Sequence, residues 1–267
     1  MRKIVFLIAI ALLTGTLMAQ SGSPKSLNKA PMVAPPMPLF QCFTSGSGPT
    51  LFSWCVTDDG NVLKLESPAG FEHIYEGLIA TEGYGVCDLA TQERYYDYGM
   101  LGDTGNWNDS VVTQPNGRGT FPLTISRTTL NGQFKLVQEF SQNKGERLVM
   151  IKMTLINSVA IPRNVYLARF VDMDANSANG GDFENYFDAT ADATTAWNPG
   201  LHYASLLTVS PAVTHFNGVF FFDRVLDPCT KPAVNTPIYG DEASYMTHVL
   251  SFPGAGTKTV TVEYRTH

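Results

Sequence analysis

Polar and apolar residues alternate along much of the chain with a period of two, the pattern of β-strands with one face in a core. In 163–174, for example, Val165 and Arg169 fall on one face, while Tyr166 and Phe170 fall on the other. Other segments are apolar on both faces, which is typical of strands buried between layers. The predicted strands are 51–57, 61–66, 121–130, 133–142, 147–157, 163–174, 200–210, 218–226, 244–252 and 257–265. No segment carries the apolar period and capping residues that indicate a helix.

Short turn signals separate several of these strands. Asp-Asp-Gly at 58–60 and Asn-Gly at 131–132 each stand between two predicted strands, and both tolerate the positive φ angles of tight hairpins. A third turn is expected at 143–146. Strands of this number, joined in this way, predict an all-β fold. We expect a single large antiparallel β-sandwich over residues 41–267.

The run TLINSVAIPRNVYLARFVD, residues 154–172, has the pattern of a strand, a bend and a second strand. In this it resembles the large two-sheet sandwich of sugar-active modules related to galactose mutarotase. The resemblance implies a sandwich of the supersandwich kind. The run carries no motif of a site, so the resemblance assigns no functional residue.

The beginning of the chain has the three parts of a secretory signal peptide. Arg2 and Lys3 form the positively charged start, residues 4–13 are apolar, and cleavage is expected near Ala19, which makes 1–19 the signal. The alternative is an uncleaved membrane anchor, but the apolar run is shorter than the roughly 20 residues of a spanning helix. We expect no membrane span in the mature chain and a secreted or periplasmic location.

Residues 20–40 contain five prolines, which predict an extended, disordered spacer between the signal peptide and the folded domain. The rest of the chain has the composition of an ordered globule, since 44% of all residues are hydrophobic and 11% are aromatic.

The charge balance limits the classes of partner. The chain has 18 basic and 24 acidic residues and a formal net charge of −6, which becomes −8 when Arg2 and Lys3 are removed. Nucleic acid is not an expected partner, because binding to its backbone depends on Lys and Arg that neutralise phosphates. Neutral glycans and cations are compatible with this charge.

Four cysteines follow the signal peptide: Cys42, Cys55, Cys87 and Cys229. In an exported chain an even number predicts two disulfides, with three possible pairings. Cys42 and Cys55 bracket a turn that contains Gly, Ser and Pro, which favours a Cys42–Cys55 bond and, by elimination, a Cys87–Cys229 bond. No CxxC motif is present, so we expect neither a zinc site nor a redox pair.

The stretch 171–197 is rich in carboxylates and has no Lys or Arg. Its six acidic residues are Asp172, Asp174, Asp182, Glu184, Asp188 and Asp192. Carboxylates held close together raise one another's pKa, and a bound cation relieves their repulsion. The start of the stretch has the alternate oxygen ligands of a calcium loop, but Ser177 stands where an EF-hand needs glycine. Two interpretations therefore stay open: a non-helical calcium loop, and a flexible acidic loop with solvated charges. The expected ligands are Asp172, Asp174, Asn176, Asp182 and Glu184.

A second candidate site is the aromatic cluster in 93–109. Tyr95, Tyr96, Tyr98 and Trp107 lie there among carboxylates and glycines, in a segment with little strand character. Exposed rings suit sugars, whose apolar C–H faces stack on them while the sugar hydroxyls find polar partners. The alternative is that these rings cap the core of the sandwich.

Catalytic motifs are absent from the sequence: the five histidines are scattered, and neither HExxH, GxSxG, a P-loop nor a dinucleotide fingerprint occurs. We therefore expect a secreted, non-catalytic β-sandwich that binds an extracellular ligand such as a glycan or a cell-surface component. One alternative is a carbohydrate-active enzyme (a lyase, epimerase or hydrolase) that uses two carboxylates of the 172–192 loop, roughly 5 to 10 Å apart. Another is a structural or assembly component of the cell surface, which would depend on exposed strand edges.

Overall fold

The structure is a computed structural model. It describes residues 39–74, 82–99, 106–175, 184–197, 202–210, 212–220, 227–231 and 243–267. These ranges contain sixteen β-strands, one short 3-10 helix at Gly48–Thr50, and no α-helix. The expected all-β fold is confirmed. The expected signal peptide and nearly all of the expected spacer lie outside the described residues.

The strands form three antiparallel sheets. Their bounds are β1 Phe40–Ser45, β2 Phe52–Thr57, β3 Val62–Glu66, β4 Glu82–Asp88, β5 Glu93–Tyr98, β6 Val111–Thr113, β7 Leu123–Thr128, β8 Phe134–Ser141, β9 Leu148–Asn157, β10 Arg163–Val171, β11 Glu184–Asp188, β12 Ala193–Trp197, β13 Tyr203–Thr208, β14 His215–Phe220, β15 Ala243–Phe252 and β16 Gly256–Thr266. The eight-stranded sheet has the order β11-β12-β13-β16-β9-β8-β7-β6. The five-stranded sheet has the order β14-β15-β10-β4-β5, and the three-stranded sheet has the order β1-β2-β3.

The core lies between the eight-stranded sheet and the two smaller sheets. Alternate residues of β8, β9 and β16, such as Phe140, Ile151 and Val262, are buried on the inner face of the large sheet. They belong to one apolar cluster with Val165 of the five-stranded sheet and Trp54 of the three-stranded sheet. The period-two alternation therefore has the predicted cause: one set of alternate side chains faces the opposite layer. The predicted β-sandwich is confirmed.

Arg169 is a fully buried charge within this core. Its Nε lies 2.5 Å from Oε1 of Glu82, and its terminal nitrogens donate to Oε1 of Gln138 at 2.6 Å and to the carbonyl of Gly60 at 3.1 Å. The hydroxyl of Tyr264 donates to Glu82 at 2.7 Å. Buried charges are tolerated when they are paired and hydrogen-bonded. This network joins the three sheets and has a structural role.

The three predicted turns are confirmed. They connect β2 to β3, β7 to β8 and β8 to β9. Gly60 has φ of +98° and Gly132 has φ of +70°, a region that glycine enters without a steric penalty. The turn at 143–146 is closed by a hydrogen bond from the amide of Glu146 to the carbonyl of Asn143.

Six strands lie where the sequence pattern does not predict one: β1, β4, β5, β6, β11 and β12. The expectation of little strand character near 93–98 is wrong, since this segment is β5. Residues 184–197 form the β11–β12 hairpin, so this half of the acidic stretch is sheet and not loop. The first strand begins at Phe40, one residue before the expected start of the domain.

The run 154–172 forms a strand, a bend and a strand, as its pattern indicates. Its first part belongs to β9 in the eight-stranded sheet, and its last part is β10 in the five-stranded sheet. The bend therefore carries the chain from one layer of the sandwich to the other.

Both predicted disulfides are present. Cys42 and Cys55 stand directly opposite each other in β1 and β2, with their Cα atoms 4.0 Å apart. Cys87 of β4 is bonded to Cys229 of the segment 227–231, with a Cα–Cα distance of 5.1 Å. Disulfides persist in oxidising environments such as the extracellular space. A search of the described residues finds no helix that is long and apolar enough to cross a membrane.

Candidate functional site

A cleft of about 360 Å³ lies on the face of the eight-stranded sheet that points away from the core. We call it the outer cleft. It is bounded by Tyr186 and Asp188 of β11, Tyr203 of β13, and Arg265 and His267 at the end of the chain. Its volume falls within the range of small-ligand sites, which begins near 300 Å³.

The floor of the outer cleft is made of small residues. The strand register aligns four residues in one row across β11, β12, β13 and β16: Tyr186, Thr195, Ser205 and Arg265. Thr195 and Ser205 are each 6% exposed, and their hydroxyl oxygens lie 2.8 Å apart. Since neighbouring strands are about 4.8 Å apart, the two ends of the row are about 14 Å apart at Cα. Larger side chains therefore stand on both sides of a low polar floor.

Aromatic rings stand on two sides of the outer cleft. Tyr203 is partly exposed and stands opposite Trp197, also partly exposed, in the β12–β13 register. Tyr186 is partly exposed on the other wall. Partly exposed tyrosines combine a flat apolar surface with a hydroxyl, which suits ligands that are apolar on one face and polar at their edges.

The two charged walls of the outer cleft differ in sign. On β16, Nε of Arg265 donates to Oε1 of Glu263 at 2.6 Å, which fixes one side of the guanidinium. On β11, Oδ1 of Asp188 accepts the amides of Thr190 at 2.8 Å and Ala191 at 3.1 Å. Each charge is thus held in place by its own strand or turn, while the rest of the group faces the cleft.

His267 stands beside the cationic wall. Partial desolvation, followed by the positive charges of Arg265 and Arg147, lowers the pKa of His267, although the residue keeps exposed surface. The imidazole is therefore mainly neutral at neutral pH and can accept or donate one hydrogen bond.

The outer cleft has one carboxylate among its described lining residues, that of Asp188. Glu263 shares a row with it, through Ala193 and Leu207, but stands three strand spacings away, about 14 Å at Cα. Glycoside hydrolysis by two carboxylates needs them roughly 5 to 10 Å apart. Among its described lining residues, the outer cleft therefore has one of the two side-chain carboxylates that this chemistry uses.

The four rings of the predicted aromatic site are mostly buried. Tyr95, Tyr98 and Trp107 are 0%, 4% and 4% exposed, and Tyr95 meets Trp107 edge to face with ring centroids 6.1 Å apart. Tyr96 keeps a partly exposed ring, which stacks on Tyr98 at 4.8 Å. The expectation that the rings are exposed is therefore wrong for three of the four. Tyr95 and Tyr98 are buried because 93–98 is a strand of the five-stranded sheet, and Trp107 is held by an isolated bridge to Thr129, so the alternative of core packing holds.

Two of the five predicted calcium ligands have described side chains. Asp172 and Asp174 directly follow β10, and Asp174 is 4% exposed. Asn176 and Asp182 lie outside the described residues, as does the side chain of Glu184. Within the part of the chain that the structure describes, no group of three or more His, Cys, Asp or Glu could hold a metal ion. Calcium binding here stays a prediction.

Asp192, the last carboxylate of the acidic stretch, has a histidine partner. Its Oδ2 lies 2.6 Å from Nε2 of His215, while Nδ1 of the same ring lies 2.7 Å from the carbonyl of Val213. Both ring nitrogens face protein oxygen atoms, so His215 has no nitrogen left for a substrate. This contact ties the β11–β12 turn to β14 across the two sheets.

Two further histidines are buried in the sandwich. Desolvation lowers the pKa of His73 to about 4, and its Nε2 lies 2.6 Å from the carbonyl of Ser67. Desolvation, with a smaller contribution from His215, lowers the pKa of His248 to about 3, and its Nε2 lies 3.1 Å from Oγ1 of Thr208. Neither ring lines the outer cleft, and both are neutral core groups.

Apart from Asp188, which belongs to the acidic stretch, sequence reasoning did not select the residues of the outer cleft. A partial signal was present, since Tyr203, Ser205 and Leu207 alternate along one strand, and Arg265 shares a face with Glu263 on another. That alternation identifies an outward face on each strand. It does not show that β13 and β16 are neighbours, which brings the two sets together.

Comparison with known proteins supports the architecture. No protein-family model matches the sequence. A comparison with curated proteins finds no significant sequence match. Among solved structures, the chain is similar to a bacterial glucoamylase determined in complex with acarbose, with a TM-score of 0.57 and 9% identity, over 84% of this chain and 31% of that one. The chain thus spans less than a third of the length of that glucoamylase.

Two other similar structures match over nearly their whole length. The Slr1438 protein of Synechocystis sp. PCC 6803 has a TM-score of 0.50 and 9% identity, covering 87% of this chain and 97% of that one. A putative aldose 1-epimerase of Escherichia coli K12 has a TM-score of 0.47 and 10% identity, covering 85% and 99%. At such identities the likeness shows the fold alone. The fold is one that the bacterial glucoamylase also contains.

Proposed function

We propose that the protein is an exported, non-catalytic β-sandwich that binds a carbohydrate of the extracellular space or of a cell surface in the outer cleft. The observation that carries this proposal is the row from Tyr186 through Thr195 and Ser205 to Arg265, with Tyr203 beside it. A sugar ring has apolar C–H faces and a rim of hydroxyls. The tyrosine rings match the faces, and the hydroxyls, carboxylate and guanidinium match the rim.

The fold supports the carbohydrate part of this proposal, and the disulfides support its extracellular part. A sandwich of this kind occurs in the bacterial glucoamylase, which is a carbohydrate-active enzyme. Two disulfides suit a chain that works in an oxidising, extracellular environment. A binding role is preferred over hydrolysis because Asp188 has no second carboxylate within reach among the described lining residues of the outer cleft.

The test is to measure the binding of the full-length protein to a panel of mono- and oligosaccharides by calorimetry. Tyr203→Ala removes the ring at the end of the outer cleft, and we expect it to weaken binding by at least tenfold, about 1.4 kcal/mol. The melting temperature should change little, because Tyr203 is partly exposed.

Tyr96→Ala is the matched control, since Tyr96 is also a partly exposed tyrosine but belongs to β5 of the other sheet. It should leave the affinity unchanged. Loss of binding in Tyr96→Ala with normal binding in Tyr203→Ala would move the site to the aromatic segment of β5. Failure of the native protein to bind any saccharide of the panel would refute the proposed function.

A further inference from the structure

The positively charged side chains of the outer cleft lie at one of its ends. Among its described lining residues, Arg265 is the side chain that carries a full positive charge at neutral pH, since the pKa of His267 is lowered. Arg147 lies close enough to act on the same imidazole, so a second cation stands at this end. Since Glu263 pairs with Arg265, the end of the outer cleft near Tyr203 has two arginines and one side-chain carboxylate, and it is the more cationic end.

The geometry of Arg265 suits the binding of an anion. Its Nε donates a hydrogen bond to Glu263, which is 4% exposed, and this bond restricts the orientation of the guanidinium. Its two terminal nitrogens have no hydrogen-bond partner among the described residues, and its side chain is 41% exposed. An arginine with a fixed plane and two open donors matches an oxyanion in bidentate geometry, and little entropy remains to be lost on binding.

The negative charge on the opposite wall does not cancel this preference. Asp188 stands in the neighbouring row, three strand spacings and two residues along the strand from Arg265, so the two Cα atoms are about 16 Å apart, which exceeds the Debye length of about 8 Å at physiological ionic strength. The amides of Thr190 and Ala191 already bind one of its oxygen atoms. The other oxygen can accept a sugar hydroxyl.

We propose that the ligand of the outer cleft is an anionic saccharide, whose carboxylate or sulfate group pairs with the terminal nitrogens of Arg265 while its ring packs on Tyr203. The hydroxyls of Thr195 and Ser205 lie on the floor between this anchor and the opposite wall, where neutral parts of the saccharide are accommodated. This inference rests on the proposed carbohydrate-binding function and specifies its ligand class.

Matched ligands test the inference directly. Oligogalacturonate and the galactose oligosaccharide of equal length differ mainly by a carboxylate at C6, and a sulfated galactose oligosaccharide replaces the carboxylate with a sulfate ester. With the full-length protein at low salt, we expect at least one anionic ligand to bind tenfold or more tightly than the neutral one. That advantage should shrink as salt is added. The comparison of the two anionic ligands identifies which oxyanion the site takes.

Arg265→Gln should lower the affinity for the anionic ligand by tenfold or more and the affinity for the neutral ligand by a smaller factor, so that the preference for the anionic ligand is lost. Arg265→Lys keeps the charge but loses the bidentate fork, and should give an intermediate affinity. Lys152→Gln is the control, because Lys152 is an exposed cation of β9 whose partner is Glu139, outside the outer cleft. It should leave the preference intact.

The outcomes separate the two proposals. Equal binding of neutral and anionic ligands by the native protein would overturn the inference and leave carbohydrate binding in place. Binding of neither class would refute the proposed function itself. Because Arg265→Gln leaves the buried Glu263 without its partner, the double variant Arg265→Gln/Glu263→Gln is measured in parallel. If this folded variant still prefers the anionic ligand, the inference is wrong.

Discussion

Trp107 is 4% exposed and lies between Tyr84 and Tyr95, both of which meet it edge to face. The guanidinium of Arg127 stands over its ring, 5.9 Å from the centroid. Its sequence surroundings, polar and rich in glycine and aspartate, resemble those of an exposed binding loop. What decides its burial is the β4–β5 pair, which supplies the two tyrosines from a distance in sequence.

Replacing Trp107 with Ala should therefore act on stability. Removal of a buried Trp leaves a large cavity, and such substitutions cost about 3 to 5 kcal/mol. Urea unfolding of the full-length protein, followed by circular dichroism, measures this difference. Tyr96→Ala on the exposed side of β5 should cost much less. A loss below about 1 kcal/mol for Trp107→Ala would contradict its assignment to the core.

At the scale of elements, strands that alternate regularly and are joined by glycine-containing turns were predictable from the sequence. Strands that contain glycine, or that are joined by a turn without glycine, were not. β4 contains Gly83 and Gly85, which lower strand propensity. Gly85 is required because a Cβ there would lie 2.6 Å from Cβ of Pro228, in a segment far along the chain. The β11–β12 hairpin turns without glycine: Asp188 caps the turn, and Asp192 adopts a φ of +52°. The local sequence predicts neither the close contact at Gly85 nor the β11–β12 turn.

The end of β10 is the place to test the calcium prediction. We expect the melting temperature of the full-length protein to rise by several degrees when calcium replaces EGTA, since a ligand at a hundred times its dissociation constant adds about 2.7 kcal/mol. Asp172→Asn/Asp174→Asn should remove the shift, because oxygen ligands of lower charge bind calcium less tightly.

Asp109→Asn serves as the control for this measurement, since Asp109 is an exposed carboxylate outside the acidic stretch. It should keep the full calcium response. Identical melting curves in EGTA and calcium would show that the acidic stretch does not bind the ion under these conditions. The prediction would then be wrong.

At the scale of the whole molecule, the sequence indicates strands and faces but not the order of strands in a sheet. Pattern and turn residues act locally, whereas pairings such as β13 with β16 join segments some sixty residues apart through packing of the core. The candidate site depends on this order, because Tyr203 and Arg265 come together only in the folded sheet. The disulfide pairing, by contrast, was a long-range feature that the sequence did predict. Four cysteines allow three pairings, and the turn between Cys42 and Cys55 favours the one that is present.

The two disulfides should contribute unequally to the stability of the molecule. Cys42–Cys55 spans 13 residues within one hairpin, while Cys87–Cys229 spans 142 and fastens the segment 227–231 to the five-stranded sheet. A cross-link that closes a longer loop removes more conformational entropy from the unfolded chain. The entropy model gives about 3 kcal/mol for the short loop and about 5 kcal/mol for the long one.

Replacing both cysteines of a pair with alanine tests this difference, and each double variant is the control for the other. We expect Cys87→Ala/Cys229→Ala to lower the free energy of unfolding more than Cys42→Ala/Cys55→Ala does, as measured in guanidinium. The segment 227–231 keeps the ion pair between Arg94 and Asp227, 2.8 Å apart, but this pair is exposed and contributes little. Equal losses would mean that the long-range bond closes a loop already compact in the unfolded chain, so that the entropy of a random chain does not describe it.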